Sequence, residues 1–135
     1  MDMQAGRSIH KDNTIATFRG IYISPEMLMD KLDALIDVHF KEERSPDLYS
    51  VSMAFITKTL NAITKAQRGK TVFVLIQDRI LKEAKHLLLT TNMPVKTMSF
   101  ILGFEDPAYF SRFFKRMSGM APKAYRINSR SIISN

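Results

Sequence analysis

The run Val95–Phe104, followed at once by Glu105–Arg116, constrains this chain more than any other feature, because it holds a glycine turn between two helical segments. A first helix ends at Leu102, and Gly103 then supplies a residue free to take positive φ where the backbone reverses. Asp106 caps a second helix and Pro107 takes its first position, where the missing N–H removes no intrahelical bond. Two short helices joined in this way make a helix-turn-helix. The second helix, basic and closed by Gly119-Met120-Ala121-Pro122, is the candidate recognition helix.

Charge points the same way by an independent route. Residues 107–135 hold six Lys and Arg with no Asp or Glu, whereas residues 1–56 hold six basic against nine acidic side chains. A basic cluster is ordinarily a solvated face. This one lies on the helix that the turn projects outward, which favours a polyanion partner. Gly103→Val is then expected to abolish binding, because a side chain at the turn unfolds or misplaces the recognition helix.

The remaining bounds exclude several classes. At 135 residues with a formal net charge of +7, the chain has room for one domain with a modest core and a short appendage. No apolar run approaches the roughly 20 residues that a membrane span requires, so no membrane partner is expected. The absence of cysteine rules out disulfides, thiolate zinc sites and cysteine nucleophiles. Met1–Arg7 lacks the apolar core of a signal peptide, and a cytoplasmic setting fits. His10, His39 and His86 are scattered away from metal-ligand spacing and no carboxylate pair stands out, so no catalytic residue, metal or cofactor is assigned and an enzyme is not expected.

Along the chain, residues 1–14 read as a polar arm, and Ile15–Ser24 as either an extended segment or a short hairpin. Ser24-Pro25-Glu26-Met27 opens an amphipathic helix in which Met27, Leu28, Leu32, Leu35 and Ile36 recur at helical spacing out to about Phe40. Its apolar face either packs on the rest of the domain or meets another chain. Ser45-Pro46-Asp47 opens a second short helix with Leu48, Tyr49, Val51 and Met53 inward. A break at Phe55–Thr57 then leads into a basic helix from Lys58 to about Gln67, ended by Gly69. This is a second helix-turn-helix whose turn lacks a glycine. Between the two units, Val72–Thr91 reads as one helix of about 19 residues, roughly 28 Å long, with Phe73, Ile76, Ile80, Ala84, Leu87 and Leu88 on one face. Such a strut suits recognition helices spaced near one turn of B-DNA, about 34 Å.

With both units and the strut in place, the sequence resembles the DNA-binding domain of the AraC/XylS family of bacterial transcription regulators. The resemblance covers about residues 35–126. Its specific part is Met98, Ser99, Leu102-Gly103-Phe104, Tyr109-Phe110-Ser111-Arg112, Phe114-Lys115, Gly119, Pro122 and Tyr125-Arg126, which fill the family pattern at fixed spacing. In the first unit Tyr49, Met53, Leu60, Lys65 and Gly69 fall at the expected intervals, while Ser50 stands where the family commonly has alanine and Ala62 where arginine is frequent. The resemblance implies an all-α fold: two helix-turn-helix subdomains, about residues 45–70 and 94–118, joined by a long linker helix. Residues 1–34 then form a short N-terminal arm and extension, a candidate sensor-domain remnant, and residues 127–135 a C-terminal tail. It implies sequence-specific binding of double-stranded DNA and transcription regulation, with recognition helices in successive major grooves. RNA polymerase and a homodimer through the N-terminal helix are further partners to test. The alternative is a helical protein-interaction module, or a non-specific nucleic-acid binder without regulatory activity, and a steep salt dependence of affinity separates DNA binding from an apolar groove.

Base readers belong on the N-terminal half of an inserted helix and phosphate clamps on its flanks. In the second unit Pro107, Ala108, Ser111 and Arg112 open the helix, and Ala108, Ser111 and Arg112 share one exposed face. Tyr109, Phe110, Phe113 and Phe114 take the other side, as core. Arg112 has the fork to contact guanine O6 and N7, against a phosphate contact or an ion pair with Glu105 or Asp106. Lys115 and Arg116 sit where phosphate neutralisation is expected. In the first unit Lys58, Asn61, Ala62 and Lys65 form the corresponding face, with Asn61 suited to bidentate adenine contact or serving no role. Lys96 and Thr97 begin the positioning helix and are placed to meet backbone phosphate.

Overall fold

All five prolines stand at helix starts, where their fixed φ helps and their missing N–H costs nothing. Pro25, Pro46, Pro107 and Pro122 are the first residues of helices and Pro94 is an N-cap. The computed structural model describes residues 16–18 and 21–134. Among these, strands β1 (Ala16–Phe18) and β2 (Ile21–Ile23) precede helices α1 (Pro25–His39), α2 (Pro46–Met53), α3 (Thr57–Arg68), α4 (Val72–Thr90), α5 (Val95–Ile101), α6 (Pro107–Ser118) and α7 (Pro122–Ser134). The strands pair antiparallel with Ala16 opposite Ile23, so Ile15–Ser24 takes the hairpin alternative over its described residues and adds a minimal ribbon to a helical fold. The polar arm expected over residues 1–14 lies outside the described residues.

Capping follows the sequence closely. The hydroxyl of Ser24 accepts the Met27 N–H at 3.2 Å, that of Ser45 accepts the Asp47 N–H at 3.3 Å, and the Asp106 carboxylate accepts the Ala108 N–H at 3.0 Å. Gly69 and Gly119 end α3 and α6 in the left-handed conformation. Each donates its N–H to the carbonyl four residues back, at 2.8 Å in both cases.

The chain divides into two units, the first ending at Gln77 and the second beginning at Asp78, with α4 contributing to both. In the first, α1 packs on α2 and α3. Leu28, Leu32, Ile36 and Phe40, four residues apart, are buried with Met29, Tyr49, Met53, Leu60, Ile63, Val72 and Ile76. This corrects the expected stripe: Met27 is 53% exposed and Met29 lies inside. The apolar face of α1 formed by Leu28, Leu32 and Ile36 packs within its own unit, while Met27 and Val38 stand exposed on the same helix. Val51, expected inward, is 79% exposed, because the short α2 turns only Tyr49, Ser50 and Met53 inside. Arg68 at the end of α3 reaches Asp33 on α1 through two hydrogen bonds of 2.9 and 2.6 Å.

In the second unit, Ile80, Ala84 and Leu88 on α4 are buried together with Met98, Leu102, Phe104, Phe110, Phe113, Phe114 and Pro122. Phe104 lies 5.1 Å from the ring of Phe110 and 5.4 Å from that of Phe113, while Phe114 meets Tyr125 edge-on at 5.4 Å. Residues 127–134, read as a tail, instead continue helix α7. Two arginines hold it against the end of α4, where the last carbonyls lack helical partners. Arg126 Nε donates to the Leu88 carbonyl at 3.0 Å, and Arg130 donates to the Thr91 carbonyl and, at 2.8 Å, to Asn92 Oδ1.

The two units repeat one motif. Phe55 N–H donates to the Ser50 carbonyl at 3.0 Å and Phe104 N–H to the Ser99 carbonyl at 2.9 Å, an offset of 49 residues. The recognition-helix positions Leu60, Ile63 and Gly69 match Phe110, Phe113 and Gly119 at an offset of 50. The extra residue falls in the second turn. There Gly103 has φ 89°, and its counterpart in the first turn is Ala54 at φ 62°. A left-handed alanine therefore does in the first turn what glycine does in the second.

Candidate nucleic-acid interface

Helix α6 is built from its buried side outward. Phe110, Phe113 and Phe114 fix its inner face, and the period of 3.6 residues then presents Ala108, Arg112, Lys115 and Arg116 to solvent, with Ser111 and Pro107 half-buried at the edge. Arg112 forms no ion pair with Glu105 or Asp106 among the described residues. Its guanidinium lies 6.0 Å from the centre of the Tyr109 ring, and that of Arg116 lies 5.7 Å from the Phe113 ring. The face is thus cationic and backed by a buried aromatic core.

Tyr109 corrects the assignment of all four aromatics to the core, since it is 49% exposed. The signal for it was in the sequence: Tyr109, Arg112 and Arg116 stand at i, i+3 and i+7 and so share one helical edge. The burial arc of α6 is already filled by Phe110, Phe113 and Phe114, so a fourth aromatic at helical spacing falls outside it.

Helix α3 presents Lys58, Ala62 and Lys65 as exposed residues on the matching face. Asn61 departs from the expectation of a bidentate adenine reader. Its side-chain oxygen accepts the Val72 N–H at 3.0 Å, satisfying a donor at the start of α4, while its backbone carbonyl accepts the Thr64 hydroxyl at 3.1 Å. The oxygen that adenine N6 requires is therefore engaged in holding α4. Ser50, buried where alanine was the commoner choice, is also explained: its hydroxyl bonds the Pro46 carbonyl at 3.1 Å and the Thr57 hydroxyl at 2.8 Å, tying α2 to the start of α3. Lys96 and Thr97 stand exposed in the first turn of α5.

No cluster of three or more His, Cys, Asp or Glu side chains suited to a metal occurs among the described residues. His39 lies edge-on to the Tyr49 ring at 6.5 Å, within the first unit's packing. No described helix is long and apolar enough to cross a membrane.

Two helix-turn-helix units, each with a second helix that ends on a left-handed glycine and carries cationic side chains on its exposed face, define a double helix-turn-helix domain of the kind that binds nucleic acid. A family model described as a helix-turn-helix domain matches residues 51–128, and the chain belongs to the AraC/XylS family through its DNA-binding domain. Over 96 residues it is 35% identical to the arabinose operon regulatory protein of Salmonella typhimurium, a match covering 70% of this chain and 32% of that protein. The chain thus spans about a third of the length of that relative. Among solved structures, the C-terminal domain of AraT, a response regulator from Geobacillus stearothermophilus, superposes with a TM-score of 0.69 at 22% identity, covering 75% of this chain and 84% of that one. The DNA-binding domain of AdpA, a global transcriptional factor solved in complex with a target DNA, gives 0.69 at 20% identity, covering 76% and 93%. These likenesses carry the fold.

Proposed function

We propose that this chain binds duplex DNA in a sequence-specific manner and regulates transcription, with α6 and α3 entering successive major grooves. The observation that carries the reading is the exposed face of α6, where Ala108, Ser111, Arg112, Lys115 and Arg116 gather on one side of a helix locked by three buried phenylalanines. Arg112 reads a base, Ser111 and Ala108 contact the neighbouring base edges, and Lys115 and Arg116 neutralise phosphate. Lys58 and Lys65 on α3, with Lys96 and Thr97 on α5, are the remaining backbone contacts, and Ala62 contributes apolar contact only. The family consists of transcription regulators, which supports DNA as partner over an enzymatic role. A cytoplasmic location and contact with RNA polymerase belong to the same proposal.

Selection from a random-sequence duplex pool, with sequencing of the bound fraction, tests it. The expected result is a motif of two blocks about 10 base pairs apart. Arg112→Ala is expected to relax one base position by about 1–3 kcal/mol. Retention without any enriched motif would reduce the function to non-specific phosphate binding. Absence of retention at low salt would favour a protein-interaction module.

A further inference from the structure

We propose that Tyr109 is a positioning residue, an aromatic platform that holds the Arg112 guanidinium in the orientation from which it reads a base. The inference rests on the duplex-reading role of α6 proposed above. The Arg112 guanidinium lies 6.0 Å from the Tyr109 ring centre, at the edge of the range over which a cation is attracted to a ring face. The ring itself is steadied from the core side, where buried Phe104 meets it edge-on at 5.8 Å and 70°. A half-exposed tyrosine is thereby fixed at its base and offered to an arginine one turn along. The same device recurs one turn later, with Arg116 lying 5.7 Å from Phe113.

The first unit supplies the contrast. At the matching positions, fifty residues earlier, Thr59 and Ala62 replace Tyr109 and Arg112, and Ile63 and Ala66 replace Phe113 and Arg116. Ring and arginine are present together in α6 and absent together in α3, as expected if the ring serves the arginine. An exposed arginine samples many rotamers and loses that freedom when its fork engages a base. A platform that restricts the rotamers beforehand raises discrimination without touching the DNA.

The test is selection from the random duplex pool with the purified chain and with Tyr109→Leu, Tyr109→Phe and Arg112→Ala. Tyr109→Leu is expected to lower discrimination about 2- to 5-fold at the same base position that Arg112→Ala relaxes, while Tyr109→Phe, which keeps the ring, leaves it unchanged. Retention of full preference by a folded Tyr109→Leu, where Arg112→Ala loses it, would overturn the platform and leave the DNA reading intact. Equal weakening on every sequence by both the leucine and phenylalanine variants would overturn it in favour of a phosphate contact by the phenol hydroxyl. Lack of any enrichment by the unaltered chain would sink the underlying reading and this inference with it. A measurement that needs no leucine variant is the proton NMR position of the Arg112 δ-methylene. It is expected upfield from the ring current in both the unaltered chain and Tyr109→Phe, and random-coil positions would overturn the proposal.

Discussion

Asn61 shows how one residue's chemistry is decided by what lies beside it. Its carboxamide is suited to adenine, yet the Val72 N–H at 3.0 Å takes its oxygen, and Val72 is fully buried. Removing that acceptor leaves a donor without a partner in the core. Asn61→Ala is therefore expected to cost about 1–3 kcal/mol of stability with the preferred DNA motif unchanged, and Asn61→Asp, which keeps the acceptor, to cost less. Urea unfolding and duplex selection on the two variants check this, and a changed motif with unchanged stability would return Asn61 to the interface. Tyr49 makes a second residue-scale prediction. Its hydroxyl donates to the Glu43 carbonyl at 2.8 Å, and burial, followed by the negative charges of Glu43 and Glu42, pushes the phenol up from 10.0 to about 12. The folded state thus holds this proton more tightly than the unfolded chain. Its contribution is fully present below about pH 10 and is lost as pH rises toward 12, a fall on the order of 2–3 kcal/mol. Unfolding measured from pH 8 to 12 is expected to show that fall in the unaltered chain relative to Tyr49→Phe, and parallel profiles would rule it out.

At the scale of the element, the two turns compare the same backbone task performed by different residues. Gly103 at φ 89° carries no strain, whereas Ala54 at φ 62° bears a Cβ in a conformation that costs an L-residue roughly 1–2 kcal/mol. Ala54→Gly is expected to be neutral or stabilising by up to about 1 kcal/mol, the relief of strain being partly offset by the greater freedom of unfolded glycine. Gly103→Val is expected to destabilise by about 2 kcal/mol or more and to weaken duplex binding, since a β-branched residue at positive φ is a steric outlier. Thermal unfolding of both variants checks the pair; a destabilised Ala54→Gly or a fully stable Gly103→Val would contradict it. The same comparison explains what was legible beforehand. Prolines, caps and the Gly103 turn announce helix boundaries because each acts locally, and α6 could be read from them alone. Val51, Phe73 and Tyr109 were misplaced because apolar type at helical spacing does not say how wide the buried arc is. Tyr49 and Met53 already fill the inward side of α2, and Phe73, 46% exposed, lies beside the Val72–Ile76–Ile80 line that is buried. The role of Asn61, the serine link from Ser50 to Thr57 and the clamp of Arg126 and Arg130 on the end of α4 were not legible, since each joins residues whose proximity only the fold creates.

At the scale of the whole molecule, the two repeats differ in the charge they carry at matched positions. Matched positions carry Arg112, Lys115 and Arg116 in α6 against Ala62, Lys65 and Ala66 in α3, and acidic residues are absent from residue 107 onward. On the proposed reading, the second unit holds in Arg112 a fork-shaped donor able to distinguish a base, while the matched positions of the first hold a lysine and alanines, the lysine a compact cation suited to phosphate. If about six phosphates are neutralised, the logarithm of the association constant falls against the logarithm of salt concentration with a slope of about −5. Lys58→Ala and Lys65→Ala are each expected to make that slope shallower by about 1 and to leave the enriched motif unchanged, because they remove charge without removing a reader. Arg112→Ala is expected to do the reverse in part, relaxing one position of the motif more than it alters affinity for random sequence. Titrations on a selected and a scrambled duplex across a range of salt concentrations distinguish the two behaviours. A motif that changes with Lys58 or Lys65 would move base reading into the first unit, and a slope near zero would remove phosphate from the interface altogether.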